Sequence, residues 1–217
     1  MPTQWLPLFP LHVVLFPHMA LPLHVFEERY RRMIADCLEE GHSFGVVAIR
    51  DGTETGASTP YDIGTLAKIV RIDRLDDGRM SLLVMGASRF EIVERVDDRP
   101  YQRGQIRIIP EAGDDPDATA QLTETTAITF QQYSNLVREL VGQQPDDVEP
   151  PMEPELLSYL VGAALNLQVA EKQSLLAEPR TDARLLLELR ILRKEIVLLK
   201  QMVAHAATAA RVRTSLN

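Results

Sequence analysis

Three histidines, His12, His18 and His24, recur every six residues, and imidazole is the commonest side chain for holding a transition metal. A spacing of six fits neither one face of a helix nor a turn-built site, and Pro17 and Pro22 break the segment. None of His12, His18, His24, His42 or His205 is followed by Glu, so the His-Glu-x-x-His pair of a helical zinc site is absent. The single cysteine, Cys37, falls on an apolar helical stripe without a basic neighbour to activate its thiol, and reads as a small hydrophobe. Lys68, Lys172, Lys194 and Lys200 follow Ala67, Glu171, Arg193 and Leu199, so there is no Gly-Lys step to end a phosphate-binding loop, and no GxGxxG. No nucleophile elbow is read in the chain. Paired acids abound, but in linker-like runs where they read as solvated. These residues assign no catalytic group, no metal and no cofactor, and the chain reads as a non-enzyme.

The elements that would position any site change character near residue 110. Before it, short runs rich in Val, Ile and Leu at 11–16, 44–50, 65–73, 80–85, 89–96 and 104–109 read as strands bounded by Gly, Pro or Asp. Asp77-Gly78 suits a tight hairpin between the third and fourth of them. Near-regular short strands favour a barrel or sandwich. One helix interrupts them at 25–40. Phe26, Tyr30, Met33, Ile34, Cys37 and Leu38 form its buried stripe, and Glu28, Arg29, Arg32, Asp36 and Glu39 its polar face, with Gly41 placed to cap its end.

Beyond an acidic linker at 111–117 the period becomes helical. Leu122, Phe130, Tyr133, Val137, Leu140 and Val141 mark one amphipathic helix. A second acidic, proline-rich break at 144–154 precedes shorter helices at 155–167 and 169–176. Thr181 and Asp182 then suit the start of a long helix. In it Leu185, Leu189, Leu192, Ile196, Leu199 and Val203 alternate spacings of four and three, and Ala206 and Ala210 continue the series. That heptad seam packs either on the chain's own helices or on a second copy, giving a homodimer.

With 217 residues, 45% hydrophobic and 25% charged, the chain can bury one large core or two small ones without staples. No apolar run approaches the ~18 residues of a membrane span, and the N-terminus has no basic region ahead of its apolar part, so a cytoplasmic location is the default expectation. Residues 180–217 carry eight basic and three acidic side chains, a net +5 that leaves −13 on residues 1–179. An acidic body repels a polyphosphate, which argues against nucleic acid as a partner.

One set of residues is denser in pattern than the rest: Leu6-Pro7-Leu8-Phe9-Pro10-Leu11, Leu15-Phe16-Pro17, Leu21-Pro22-Leu23 and Phe26-Glu27-Glu28-Arg29-Tyr30. It resembles the opening signature of the Lon protease N-terminal domain family. The resemblance continues through Phe44-Gly45-Val46-Val47, Gly64-Thr65-Leu66-Ala67, Asp77-Gly78-Arg79, Gly86-Ala87-Ser88-Arg89-Phe90 and, later, Glu171-Lys172-Gln173-Ser174-Leu175-Leu176 with Arg184-Leu185. It implies an α+β fold: a PUA-like β-barrel with one packed helix over residues 1–115, then an α-helical bundle at 116–217 ending in the long helix. It also implies substrate-protein binding. The family's ATPase and Ser-Lys protease domains lie downstream of this region; a stand-alone, non-catalytic member is expected here, with a fragment of a longer protease as the alternative.

The expected partner is unfolded or partly folded protein, with no membrane involved. Phe16 and Met19, near the proline-rich opening, are expected to supply apolar anchors, and Glu28, Arg29 and Arg32 a polar rim. An unpaired barrel edge would also accept an added strand. Arg89 is expected to pair with Glu27 or Glu28, and Gly86 to supply a bulge. The alternative function is an adaptor that docks on a protease or another partner through the C-terminal helix. RNA binding ranks below both.

Overall fold

The computed structural model describes residues 3–41, 43–112, 116–145 and 148–215, with side chains described as far as Ala206 apart from Glu40. The centres of both acidic linkers, Ala210, and the tail with Arg211 and Arg213 lie outside the described backbone or side chains. Two compact units result: Met1–Ala112 with Gly162–Pro179, and Gly113–Val161 with Arg180–Asn217. The sequence reading divides the chain at 115/116, whereas the first division between the units falls at 112/113. The return of Gly162–Pro179 to the first unit has no local sequence signal.

The first unit runs β1 (Gln4–Leu11), β2 (Ala20–Val25), α1 (Glu28–Glu40), β3 (Ser43–Gly52), β4 (Ser58–Pro60), β5 (Ile63–Arg74), β6 (Met80–Val96) and β7 (Arg103–Ile108). The sheet order is β1-β7-β6-β5-β3-β4. β1 also pairs in parallel with β3, with Leu8 beside Gly45 and Leu11 beside Ala48, which closes five strands into a barrel. The segment 11–16 is not a strand. β1 lies upstream of it, across Pro7 and Pro10, because the residue between the prolines still supplies a donor: Leu8 N bonds Gln102 O at 2.9 Å. Among the described residues, only β2 and β4 have a single strand neighbour. Pro22 in β2, and the brevity of β4 with its terminal Pro60, blunt those edges against an added strand.

The runs 80–85 and 89–96 form one long strand, β6, with a bulge. Ala67 faces Gly86 and Thr65 faces Arg89, so β6 carries one residue more than β5 there. The side chains record it. Leu82 and Val84 belong to the apolar cluster shared with α1, whereas Phe90 and Ile92, of the same parity, belong to a second cluster with Leu6, Leu8, Val47 and Ile106. One inserted residue moves every later side chain to the other face. Glycine is required at the bulge: a Cβ on Gly86 would stand 2.3 Å from the Phe16 carbonyl oxygen. The hairpin and cap readings hold too, with Gly78 at φ 80 and Gly41 at φ 136.

From this bulge Arg89, 2% exposed, reaches α4 (Val169–Ala177). Its guanidinium donates to the carbonyls of Leu176 at 3.0 Å, Glu178 at 2.7 Å and Pro179 at 3.4 Å, and pairs with Glu111 Oε1 at 2.7 Å. Carbonyls at a helix C-terminus lack intrahelical donors, and the helix dipole favours a cation there. Gln173 Nε2 adds a bond to Ile63 O at 2.9 Å. The expected pairing of Arg89 with Glu27 or Glu28 does not occur, because those acids take nearer partners, Arg29 and Arg31.

The second unit holds α2 (Pro116–Leu140), most of α3 (Pro154–Ala164) and α5 (Thr181–Ser215). α2 packs along α5. Thr119, Thr123, Thr126, Ala127, Phe130 and Tyr133 are buried on α2, and Leu185, Leu189, Leu192, Ile196 and Leu199 on α5. These seam residues, expected to serve self-association, are buried within the chain; Val203 is half-buried. Among the described side chains, the large apolar ones that α5 leaves exposed are Val197, Leu198 and Met202, together with Leu186 and Leu187. Arg184, wholly buried, lies 4.2 Å from the Tyr159 ring centroid and donates to Ser158 Oγ at 2.6 Å. Ser158 in turn donates to Glu188 Oε1 at 3.2 Å. Burial pushes the Glu188 carboxyl well above its usual range, opposed by Arg184 and Ser158. No helix among the described residues is long and apolar enough to cross a membrane.

Replacing Arg89 with Met is expected to lower unfolding stability by about 3–5 kcal/mol, the usual cost of stranding buried partners of a removed charge. Glu111→Gln is expected to cost much less, since the three carbonyls still hold the guanidinium. Denaturant midpoints of the two variants check this.

Candidate functional site

α1 is placed by its apolar stripe. Tyr30, Met33, Ile34 and Cys37 are buried against Phe9, Phe44 and Val46, and the Phe9 and Tyr30 rings stack with centroids 4.2 Å apart. That burial turns Glu28, Arg29, Arg32 and Asp36 outward, where they line a cleft of about 580 Å³ with Arg99 and Pro100 from the β6–β7 connection.

Asp36 is the organising group. The sequence places it on the solvated face, but it is only 7% exposed. It accepts from Tyr101 Oη at 2.6 Å and from Arg99 Nη1 at 2.8 Å, and pairs with Arg32 Nε at 3.1 Å. The Tyr101 hydrogen bond above all, then Arg99 and Arg32, hold its carboxyl below the usual range despite desolvation. Burial first, and then the bond to Asp36, push the Tyr101 phenol up to about 12.

Arg29 closes the other end of the cleft. It pairs with Glu27 Oε2 at 3.0 Å, donates to Glu54 O at 2.6 Å and lies 4.5 Å from the Tyr30 ring centroid. Glu28 pairs with Arg31. Arg32 stays open, with 66% of its side chain exposed. The predicted polar rim of Glu28, Arg29 and Arg32 thus comes together on one cleft.

The predicted apolar anchors do not join it. Phe16 is 1% exposed and Met19 is partly buried against the cluster under α1. Phe26, expected in the stripe, is instead 58% exposed, just ahead of the helix; Trp5, on β1, is also exposed. A hydrophobic residue before an N-cap normally packs on an apolar residue in the helix's fourth position. The N-cap is Glu27, so that position is Arg31, and Phe26 has no staple partner. Arg99, Tyr101 and Glu54 carried no local signal.

Two other sites are less apt. Residues 41–45 do spell Gly-x-Ser-x-Gly, contrary to the sequence reading, but Gly41 ends a helix and Ser43 opens a strand. A nucleophile elbow needs strand, turn, helix in that order. In the second unit, Ala127, Ile128, Gln131, Asn135, Glu149, Pro150 and Met152 line an apolar cleft of about 520 Å³. Among the described residues no group of three His, Cys, Asp or Glu converges to hold a metal.

Because Asp36 titrates below its unfolded value, its contribution to stability is present above the unfolded carboxylate pKa and is lost as pH falls through the folded one. Tyr101→Phe removes the largest support of that low value. It is expected to cost about 1 kcal/mol at neutral pH and to move the acid loss of stability to higher pH. Urea melts over a pH series check both.

Comparison with known proteins fits this architecture. The chain is 30% identical over 202 residues to a Lon protease of Anaeromyxobacter dehalogenans, covering 90% of this chain and 24% of that protein. It is 31% identical over 205 residues to Lon protease 2 of Myxococcus xanthus, covering 91% and 24%. The chain thus spans about a quarter of the length of these curated relatives. A Lon N-terminal domain protein from Xanthomonas campestris superposes with a TM-score of 0.60 at 29% identity, over 84% of this chain and 95% of that one. The N-terminal domain of a Mycobacterium avium complex Lon protease shares the fold, with a TM-score of 0.62 at 18% identity over 89% and 98%. The family model of the substrate-binding domain matches residues 5–194, and the chain belongs to the ATP-dependent protease La (LON) substrate-binding domain family.

Proposed function

We propose that the chain is a non-catalytic module that binds unfolded or partly folded polypeptide, and that the client lies across the start of α1 and the β6–β7 connection. The observation that carries this reading is the cleft lined by Arg29, Arg32 and Arg99, on the helix whose N-cap is directly preceded in the chain by the exposed Phe26. An apolar anchor next to polar groups held by a rigid helix is the usual anatomy of protein recognition. Family membership supports substrate recognition as the role. The blunted edges of β2 and β4 favour side-chain capture over strand addition.

A second reading, docking of a partner or a second copy on α5, is favoured by one observation: Val197, Leu198 and Met202 stay exposed after the seam is buried. It would use those side chains and not the heptad residues.

The purified chain is expected to bind an unfolded model protein and to ignore the same protein folded. Phe26→Asp is expected to weaken that binding at least several-fold without changing Tm, as loss of a central aromatic anchor does. Phe16→Asp and Met19→Asp are expected to damage the fold instead, since they place a charge in the core. Equal indifference of the chain to both forms, with sedimentation showing self-association, would favour the α5 reading.

A further inference from the structure

We propose that the second unit carries two complementary surfaces for a second copy of this chain: the exposed, basic side of α5 seats its apolar side chains in the acidic groove between α2 and residues 148–152 of the next copy. This goes beyond the polypeptide-binding reading, which concerns the first unit, and gives the α5 reading its occupant.

Among the described residues, the large apolar side chains that the second unit leaves exposed fall into two sets, with Val141 apart. Leu187, Leu198 and Met202 share one face of α5, spaced by eleven and four residues, with Leu186 and Val197 beside them. Ile128, Val148 and Met152 make the other set. Ile128 and Met152 line the groove of about 520 Å³, together with Glu149 and Pro150.

Charge tells the two sets apart. Arg190, Arg193, Lys194 and Lys200 stand exposed along α5, and among the described residues none of their side chains enters an ion pair or a hydrogen bond. Glu195 is the one acid between 189 and 206. In the first unit, by contrast, Arg29, Arg95, Arg103 and Arg107 each hold a carboxylate. The groove has the opposite sign. Glu149 lines it, exposed and without an ion-pair partner among the described residues. In the sequence, Asp146, Asp147, Glu149, Glu153 and Glu155 fall between 144 and 155 with no Lys or Arg.

These signs choose the contact. α5 against α5 would set four unpaired cations against the same four, and groove against groove would set acid against acid. α5 in the groove brings unlike charges around apolar side chains, so that charge fixes the register and apolar burial supplies affinity. A nucleic acid or an anionic membrane would meet the cations of α5 but also the acidic remainder of residues 1–179. A contact between two unlike surfaces is heterologous: a dimer leaves one of each unfilled, and copies add until a ring closes.

Sedimentation of the full chain over about 1–500 μM, where weak protein contacts titrate, tests this. The mean mass is expected to rise with concentration, and less so at high salt. Leu198→Asp with Met202→Asp removes the α5 surface, and Ile128→Asp with Met152→Asp removes the groove; all four side chains are exposed, so Tm is expected to hold. Each double variant alone is expected to be monomeric, while an equal mixture forms a 1:1 complex, because each supplies the surface the other lacks. Lys194→Glu with Lys200→Glu is expected to weaken association about 3–10-fold, as reversal of two exposed charges does, and Glu149→Lys in that background to recover part of the loss. A chain that stays monomeric throughout overturns the proposal, and if it then binds anionic lipid vesicles through Lys194 and Lys200, α5 belongs to a membrane instead. A groove variant that associates alone, the mark of α5 pairing with α5, or a mixture that stays monomeric, also overturns it. Both double variants keep Phe26 and the α1 cleft, so binding of unfolded polypeptide is scored separately in the same samples.

Discussion

The architecture of the first unit depends on one buried guanidinium. Arg89 ties a strand of the barrel to a helix that comes 80 residues later in the chain, by donating to the carbonyls of Leu176, Glu178 and Pro179. Burying a charge is costly unless its hydrogen bonds are met. The end of α4 meets that demand for the two terminal nitrogens, with carbonyls that a helix terminus leaves without donors; among the described residues the buried Nε has no partner. Each group solves the other's problem. The result is a discontinuous unit in which Gly162–Pro179 belongs with the barrel.

That anchor rests in turn on the bulge in β6. The extra residue between Gly86 and Arg89 shifts the register against β5. It splits the interior into two clusters: Leu82 and Val84 pack with α1, while Phe90 and Ile92 pack with Leu6, Leu8 and Val47. The first cluster fixes α1, and α1 then carries Arg29, Arg32 and Asp36 to the rim of the cleft. A defect in strand pairing thereby sets the position of a helix on the surface, and that helix carries the cleft proposed for recognition. The cleft needs no moving part. Asp36, Tyr101 and Arg99 form a bonded set that holds the Arg99 guanidinium in place, and for a client bound at this cleft such preorganisation would lower the ordering cost.

The parts legible in the sequence were those governed by local rules. The stripe of Tyr30, Met33, Ile34 and Cys37, the Asp77-Gly78 hairpin, the Gly41 cap and the heptad seam all depend on spacings of four residues or fewer, and each was recovered. What escaped was long-range or depended on a missing neighbour. Asp36 and Tyr101 are 65 residues apart, so nothing local marked Asp36 as buried. Arg89 found its partners at the far end of α4 and not among the acids near α1. Phe26 and Phe16 exchanged their expected environments: Phe26 lacks an apolar partner at the fourth helical position, and the Phe16 backbone is drawn in against Gly86. The seam of α5 was read correctly as a seam, but periodicity does not say whose helix covers it. The family motif carried the fold class, because it records long-range packing that spacing alone does not.

The central claim is that a client polypeptide lies on the α1 face of the barrel unit, and amide hydrogen exchange of the full chain with and without a bound unfolded polypeptide tests it most directly. Slowed exchange at 26–36 and 97–103, with 127–135 and 148–154 unchanged, is the footprint the structure predicts. Protection confined to the cleft of the second unit or to the exposed side of α5, with the α1 region exchanging as before, would contradict it.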